Sequence, residues 1–386
     1  MLTNRATNVS PSLTLAITAK AKQMIKDGMD VKLFGAGEPD FDTPENVKQA
    51  GISAIEKGHT KYTPANGMPE LKQGLCEKFK KENDLDYSLS EVMVSNGGKQ
   101  IIYLLMQALL QRGDEVLIPV PYWVSYPEQV KLASATPVYT ETDDFIVRAD
   151  ILSESITGKT KMLIINSPSN PSGAVIPKKE LKKIADIAIE NNIHVLSDEV
   201  YEHFVYSDEP HCSIASIDEE IKKLTITANA VSKTYSMTGW RLGYCAGNEQ
   251  IIKAMSSIQD HLSSNPCSIA QHAALEALRG DQSSVAKMRS EFMKRRNFIV
   301  ERLNDIDGIS CNKPDGAFYV FPDISGLFDE KIKGSLDFSD QLLQKALVAV
   351  VPGIAFGSDD NIRLSFTSST EDMTEGLDRI KEFAEK

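Results

Sequence analysis

The sequence predicts an α/β protein with a large, mostly parallel central sheet and a second, smaller α+β lobe. Three observations lead to this prediction. The chain has 386 residues, which exceeds one ordinary compact domain and suits two lobes around a cleft. Its middle contains a strand–helix–strand pattern, and the pattern changes after about residue 285. Hydrophobic residues make up 41% of the chain and charged residues 25%, so a large core can form.

The strand–helix–strand unit lies between residues 162 and 197. Residues 162–165 form a short apolar run that predicts a buried strand. Apolar residues then recur at helical spacing from Leu181 to Ala188, Asn191 and Asn192 end that helix, and residues 194–197 form the next strand. A helix between two strands requires parallel pairing. Further strands are predicted at residues 92–94, 114–118, 224–227 and 242–246.

The two ends of the chain differ from this middle. Residues 1–42 are predicted to form an arm that belongs in part to the small lobe, with a helix near residues 15–26. Residues 43–285 are predicted to form the large domain and residues 286–386 the small domain. In the small domain the elements are expected near residues 289–304, 316–321, 338–347, 348–352 and 362–366.

Charge and composition argue against several functional classes. The net charge is −12 with no basic cluster, so a nucleic-acid partner is not expected. Residues 1–10 contain no apolar signal core and no long apolar run follows, so no membrane association is expected. The five cysteines are scattered and lack a CxxC pair, which predicts neither a metal site nor a disulfide framework. We therefore expect a protein of the reducing cytoplasm.

A pair of glycines stands between a predicted strand and a predicted helix. Gly97 and Gly98 follow residues 92–94, and a helix begins near Lys99. Free backbone N–H groups at a helix start favour phosphate. Neither known nucleotide motif is present, because no GxxxxGK[ST] surrounds the pair and residues 35–37 lack the third Rossmann glycine. The pair is taken as a phosphate-binding candidate.

Polar and aromatic residues follow the other predicted strands, and ligands of open α/β sheets bind at the carboxyl ends of strands. Each has an ordinary structural explanation when taken alone: a turn for Asn170, a helix cap for Asp198, a solvated surface position for Lys233. Their joint placement at one sheet edge favours a binding site instead. The candidates at this edge are Trp123, Asn170, Asp198, Tyr201 and Lys233.

These residue types suit a phosphorylated pyridine cofactor that carries an aldehyde. An amine such as that of Lys233 attacks an aldehyde when burial and cationic neighbours lower its pKa. A fixed carboxylate such as Asp198 keeps a pyridine nitrogen protonated. Amide and phenol groups donate to a ring oxygen, and an aromatic face such as Trp123 covers a flat ring.

At this point the sequence resembles a known family. It is similar to the class I aminotransferases of the aspartate aminotransferase superfamily, with fold type I, and most similar to their bacterial Thermus-like branch. The run Ser-Lys-Thr-Tyr-Ser-Met-Thr-Gly-Trp-Arg-Leu-Gly-Tyr at residues 232–244 is highly specific. The other matching segments follow in order across nearly the whole chain: residues 37–44, 61–67, 97–100, 121–128, 166–173, 197–203, 316–319 and 363–365.

The resemblance implies pyridoxal 5′-phosphate as the cofactor and assigns the residues around its ring. Lys233 would hold the cofactor covalently and later carry the α-proton of the substrate. Asp198 would pair with the ring nitrogen, and Tyr201 and Asn170 would contact the ring oxygen. Trp123 would stack on the ring. The catalytic residues implied are thus Lys233, Asp198 and Tyr201.

The resemblance also implies the groups that hold the phosphate and the substrate. Gly97, Gly98, the backbone of Lys99, Ser232 and Arg241 would hold the phosphate. Tyr62 would reach the phosphate of the neighbouring subunit, which implies a homodimer with shared active sites. Arg363 would bind the α-carboxylate in a bidentate pairing. The remaining substrate contacts implied are the Gly37 backbone, Trp123, Asn170 and Lys99.

Lys99 bears on the substrate. The resemblance implies that a lysine at this position pairs with the distal carboxylate of the substrate. That role favours aspartate and 2-oxoglutarate as substrates of a ping-pong cycle. The alternative is that Lys99 is a helix-start lysine that faces solvent.

Three positions depart from the pattern of the branch. Ser10 replaces a lysine found in members that accept prephenate, which argues against that role. Ser172 replaces a threonine that is common in the branch. Ala230 replaces a serine that binds the phosphate in some relatives, and the sequence leaves open whether Ser232 takes the place of that serine.

Three alternatives remain beside an aspartate aminotransferase. One is an aminotransferase of aromatic or a broad range of amino acids. Another is a pyridoxal-phosphate-dependent β-lyase on the same scaffold. The third is a non-catalytic regulatory protein, although the chain is expected to lack room for the DNA-binding segment that such proteins carry. Arg363 and Lys99 favour an aminotransferase, because a clamp for a dicarboxylate suits transamination.

Overall fold

The structure is a computed structural model, and it describes residues 2–386. Its helices are α1 (Asn4–Thr7), α2 (Leu13–Lys26), α3 (Glu45–Glu56), α4 (Pro69–Asn83), α5 (Gly98–Leu109), α6 (Ser125–Leu132), α7 (Ala149–Glu154), α8 (Lys178–Glu190), α9 (Glu219–Leu224), α10 (Val231–Thr234), α11 (Glu249–Leu262), α12 (Ser268–Arg279), α13 (Ser283–Asn304), α14 (Ser335–Ala346) and α15 (Thr370–Ala384). Its strands are β1 (Lys32–Leu33), β2 (Val92–Ser95), β3 (Glu115–Pro119), β4 (Thr136–Thr140), β5 (Thr160–Asn166), β6 (His194–Asp198), β7 (Thr225–Ala230), β8 (Gly243–Gly247), β9 (Tyr319–Val320), β10 (Val348–Ala349), β11 (Val351–Pro352) and β12 (Ile362–Ser365).

The central sheet of the described chain has seven strands in the order β2-β8-β7-β6-β5-β3-β4. Strand β8 runs antiparallel to both of its neighbours, and the other adjacent pairs are parallel. Helices connect most of the parallel strands, as parallel pairing requires. The predicted class, α/β with a mostly parallel sheet, is confirmed.

The predicted strand–helix–strand unit is present as β5, α8 and β6. Met162 pairs with His194 and Asn166 with Asp198, so the strands are parallel and in register. The apolar face of α8 is buried from Leu181 to Ala188, and the helix ends before Asn191. Strand β4 was not expected from the sequence, because it is a partly exposed edge strand that contains Pro137.

The second lobe contains a three-stranded antiparallel sheet, β11-β12-β9, and a parallel pair of β1 with β10. The single element expected at residues 348–352 is wrong, because the chain there divides into β10 and β11, which pair with different partners. Fully buried aromatic residues fill this lobe, among them Phe292, Phe318 and Phe338. The pairing of β1 with β10 attaches the N-terminal segment to the C-terminal part of the chain.

The strand directions determine where the polar side chains meet. Strands β2, β3, β5, β6 and β7 all end at the same edge of the central sheet, and β8 begins there because it is antiparallel. The segments that follow β2, β3, β5, β6 and β7 and the segment that precedes β8 therefore lie close together. Among the described residues, no helix is long and apolar enough to span a membrane.

Candidate active site

A cavity of about 600 Å³ lies at this edge, between the sheet, helix α2 and the small lobe. Gly97 lies directly beside it, and Tyr62 does not line it. Eleven of the residues expected from the sequence line the cavity: Gly37, Gly98, Lys99, Trp123, Asn170, Asp198, Tyr201, Ser232, Lys233, Arg241 and Arg363.

Lys233 lies in the short helix α10, directly after the fully buried strand β7. Its Nζ donates to the carbonyl oxygen of Gly37 at 2.5 Å. Burial lowers the pKa of Lys233 to about 8, and the nearby cations Arg363 and Arg241 act in the same direction against the opposing Glu38. Burial penalises the charged ammonium, so the neutral fraction of this amine near neutral pH is far larger than that of a solvated lysine.

Asp198 ends strand β6 and is buried. Burial raises the pKa of its carboxyl group to about 6, against the hydrogen bond from Tyr126 that lowers it. The hydroxyl of Tyr126 donates to Asp198 Oδ2 at 2.8 Å, and the side-chain amide of Asn166 donates to the Asp198 carbonyl oxygen at 3.0 Å. The second carboxylate oxygen receives only a long contact from the Val200 N–H at 3.4 Å, so it keeps acceptor capacity for a further donor.

Tyr201 meets a residue that the sequence did not single out. Its hydroxyl lies 2.9 Å from the hydroxyl of Tyr319, and both phenols are buried. The Arg363 guanidinium stacks on the Tyr319 ring with its Cζ 4.5 Å from the ring centroid. Tyr319 thus connects the ring-oxygen candidate Tyr201 with the carboxylate-binding candidate Arg363.

Arg363 lies in strand β12 and is 4% exposed. Its Nη1 donates to Asn170 Oδ1 and its Nη2 to the Gly35 carbonyl oxygen, both at 2.9 Å. Its Nε is buried without a hydrogen-bond partner. Burial lowers the pKa of the guanidinium from its usual value, although the group stays charged. An anionic ligand in the cavity would give this buried cation the hydrogen-bond partner that its free donor lacks.

The glycines form a backbone cradle beside Arg241. Gly97 has φ +91° and caps the start of α5, where Gly98 is the first residue. A Cβ on Gly243 would lie 2.3 Å from the Gly98 nitrogen, and a Cβ on Gly97 would lie 2.5 Å from Arg241 Nη2. Three glycines therefore let strand β8 and the arginine approach the helix start, where N–H groups favour an anion.

Lys99 and Trp123 contact one another on the wall of the cavity. The Lys99 ammonium lies 4.9 Å from the centroid of the half-buried Trp123 ring. Burial and Arg241 lower the pKa of Lys99 from its usual value. Lys99 is exposed as a whole residue, but it points along the cavity wall rather than away from it.

Sequence reasoning missed three contributors to the cavity. Helix α2 lines it with Thr14 and Thr18, together with Ser12 at its N-cap, and this contact between distant parts of the chain leaves no local sequence signal. Tyr126 and Tyr319 lie inside segments that match the family, but the sequence assigned no role to either residue. Tyr62, to which the resemblance gives a role, is 91% exposed in this single chain and does not line the cavity.

The donor set fits pyridoxal phosphate. A buried lysine of low pKa, a carboxylate with a spare oxygen, a pair of phenols and a cradle for a phosphate all border one cavity. The cradle cannot accept a Cβ at Gly243, and the orphaned Arg363 Nε leaves room for one more anion. Both observations match a ligand with a phosphate and a partner with a carboxylate.

Comparison with known proteins then decides the family. Residues 30–380 match the family described as aminotransferase class I and II. The chain is a class I and II aminotransferase. An aspartate aminotransferase of Bacillus sp. strain YM-2 is 50% identical over 99% of both chains. A probable aspartate/prephenate aminotransferase of Aquifex aeolicus is 47% identical over 100% of this chain and 99% of that protein.

Solved structures agree with this membership of the aminotransferases. The aspartate aminotransferase from Thermus thermophilus with maleate superposes with a TM-score of 0.95, at 40% identity over 99% of both chains. The predicted resemblance to fold type I aminotransferases, including the Thermus branch, is therefore confirmed.

Proposed function

We propose that this aminotransferase uses pyridoxal 5′-phosphate to transfer the amino group of L-aspartate to 2-oxoglutarate. The observation that carries the proposal is the buried Arg363, whose Nε has no partner, in one cavity with Lys233, whose pKa lies near 8. The first group suits an α-carboxylate and the second suits an aldehyde.

The cavity residues divide into those that would bind the phosphate and those that would bind the ring. Gly97, Gly98, the Lys99 backbone, Ser232 and Arg241 would hold the phosphate at the start of α5. Asp198 would pair with the ring nitrogen through its free oxygen, Tyr201 and Asn170 would donate to the ring oxygen, and Trp123 would cover one ring face. When bound, the cofactor supplies an electron sink for the substrate α-carbon.

The chain itself supplies orientation and proton transfer. Arg363 would bind the α-carboxylate with Nε, helped by Asn170 and the backbone of Gly37, and so orient the α-carbon. Lys233 Nζ would then take the α-proton from the substrate and give a proton back later in the cycle, which a group with a pKa near 8 can do in both directions. Asp198 would hold its negative charge opposite the ring nitrogen.

Lys99 supports an acidic substrate. It lines the cavity beside Trp123, and no carboxylate lies within ion-pair distance of its Nζ among the described residues. A distal carboxylate of aspartate or 2-oxoglutarate would pair with it. Of the relatives named above, one is named an aspartate aminotransferase and one a probable aspartate/prephenate aminotransferase, and the Thermus structure carries maleate, a dicarboxylate.

We also propose a cytoplasmic homodimer with shared sites and the domain limits 1–42, 43–285 and 286–386. The pairing of β1 with β10 supports the assignment of the N-terminal segment to the small domain. The exposed Tyr62 supports contact with a second chain, because an aromatic ring that is 91% exposed gains from burial. The five cysteines are free thiols, which suits a reducing compartment.

A panel of half-reactions tests the function. The cofactor-loaded protein is mixed with single amino acids, and the loss of the near-ultraviolet to visible cofactor band is followed, then its return with single 2-oxo acids. Aspartate, glutamate and 2-oxoglutarate should react fastest. Prephenate should be a poor acceptor, because Ser10 occupies the position at which members that accept prephenate carry a lysine. A band that recovers without any added 2-oxo acid, while ammonia is released, would replace transamination by β-elimination.

A further inference from the structure

Beside the cavity lies a largely buried group of polar residues to which the proposed reaction gives no role. We call it the rear cluster and define it by Lys78, Asn83, Glu202, His203, Asn229 and Thr234. Glu202 and Asn229 are 8% and 1% exposed. Burying such groups is unfavourable unless each one is partnered, so their arrangement needs a reason.

Glu202 accepts from three donors that come from two different parts of the chain. Lys78 Nζ lies 2.5 Å and Asn229 Nδ2 2.6 Å from Glu202 Oε1, and Asn83 Nδ2 lies 2.8 Å from Oε2. Burial alone raises the pKa of Glu202, but Lys78, His203 and His211 outweigh it and hold the pKa at about 2. Glu202 is thus a carboxylate anion at every pH at which the protein functions.

The segment from Asp198 to His203 has two faces. Asp198 and Tyr201 line the cavity, whereas Glu202 and His203 point to the rear cluster. The segment from Asn229 to Thr234 is divided in the same way, because Lys233 lines the cavity while Thr234 Oγ1 lies 3.2 Å from His203 Nδ1. Asn229 also accepts from the N–H of Ala230 at 2.7 Å, which fixes the start of α10.

We infer that Glu202 and Asn229 are positioning residues that fix Lys233 relative to Asp198 and Tyr201. The contact between them joins the segment that follows β6 to the end of β7, where Asn229 also lines the cavity. Lys78 and Asn83 of α4 supply the counter-charge and remaining donors. The inference rests on the proposed function, since it concerns the geometry of the same site.

Substitution of Glu202 tests the inference. Glu202→Gln keeps the shape but offers one acceptor where three donors converge, so the joint between the two segments loosens. The pH midpoint of the absorbance change of the Lys233-bound cofactor should shift by about half a unit or more, since the charges near Lys233 move. The value of kcat should fall roughly tenfold with a smaller change in KM, because misplaced groups harm the chemical step most.

Two further variants separate positioning from stability. Glu180→Gln in α8 is the matched control, because Glu180 is also a buried carboxylate, with hydrogen bonds to Ala149 and Lys183, but it does not line the cavity. It should lower the melting temperature without moving the absorbance midpoint. Asn229→Ala removes the joint yet keeps the Lys78–Glu202 pair, so it answers the question if Glu202→Gln does not fold.

The outcomes are distinct. A shifted midpoint in Glu202→Gln or Asn229→Ala, with none in Glu180→Gln, supports the inference. Variants that lose stability like Glu180→Gln but titrate like wild type overturn it and leave the rear cluster a structural core. A wild-type protein that binds no pyridoxal phosphate and shows no band overturns the proposed function instead.

Discussion

At the level of single residues, burial acts on the two central ionisable groups in opposite directions. It lowers the pKa of Lys233 to about 8 and raises that of Asp198 to about 6, because both charged forms lose hydration. Without a ligand, each group is therefore destabilised in its charged form. A cofactor that converts the amine to a bonded nitrogen and gives the carboxylate a cationic partner relieves both penalties.

The pKa of Lys233 predicts how the cofactor-free protein takes up pyridoxal phosphate. Only the neutral amine attacks an aldehyde, so the rate should rise with pH and level off above about 8, whereas a solvated lysine would level off near 10.5. Stopped-flow absorbance measures this rate. Lys233→Arg provides the background from other lysines. A rate that keeps rising to pH 10 would show that Lys233 is hydrated in solution.

Lys99 should determine the preference for acidic substrates. In Lys99→Ala a distal carboxylate would enter the cavity without a cation, and because Lys99 is partly solvated we expect a loss at the low end, about 2 kcal/mol or roughly thirtyfold in kcat/KM for aspartate. Phenylalanine and alanine make no such contact and should change little. Arg363→Ala is the contrast, since it should harm every amino acid. Retained aspartate preference in Lys99→Ala would return this residue to a solvent-facing helix start.

At the level of secondary-structure elements, the direction of β8 builds the phosphate cradle. Because β8 runs against its neighbours, its first residue, Gly243, lies at the edge where the other strands end. Arg241 precedes it and packs against Gly97, so an arginine distant in sequence joins the start of α5. A parallel β8 would place this arginine at the opposite edge.

Gly243→Ala tests the cradle. The new Cβ would lie 2.3 Å from the Gly98 nitrogen and 2.4 Å from the Gly97 carbonyl carbon, so the backbone of the helix start must move. We expect about 1–3 kcal/mol of lost stability and a dissociation constant for pyridoxal phosphate at least roughly tenfold higher, since charge-assisted contacts are lost. Equilibrium dialysis and thermal unfolding measure the two effects.

Gly239→Ala is the matched control for the cradle, because Gly239 lies in the same segment and a Cβ there meets nothing within 4 Å. It should leave both measurements near wild type. Equal cofactor affinity in the two variants would mean that the phosphate is held elsewhere.

At the level of the whole molecule, the site is built from both ends of the chain. Helix α2, the segment around Gly37 and strand β12 with Arg363 all border the cavity next to the large sheet. A change in the relative position of the small lobe would therefore change the distance between Arg363 and Lys233. The single chain leaves Tyr62 outside this arrangement.

Complementation between subunits tests the proposed assembly. Tyr62→Ala and Arg363→Ala should each be nearly inactive, and their mixture should regain activity after subunit exchange. A mixed dimer would contain one site with neither lesion, if Tyr62 acts across the interface. Exchange is verified with subunits of different mass. Activity that stays absent after verified exchange would place Tyr62 and Arg363 in the same site of one chain.

Several elements of the fold were predictable because their signals are local. The apolar runs of β5 and β6 and the 3.6-residue spacing of α8 identify the parallel unit without reference to anything outside it. The exposed edge strand β4 and the division of residues 348–352 into β10 and β11 were not predictable, because pairing partners far away in sequence define them.

The same division holds for the site. The sequence by itself determined which chemical groups follow the strands, and through its motif at residues 232–244 the family to which the chain belongs. Only the tertiary structure decided that Tyr126 hydrogen-bonds Asp198, that Tyr319 connects Tyr201 with Arg363, and that Arg363 Nε is left without a partner. The physical reason is that burial and hydrogen bonding, and the pKa shifts they cause, depend on neighbours in space. Those neighbours come from positions 72 to 328 residues away in the chain.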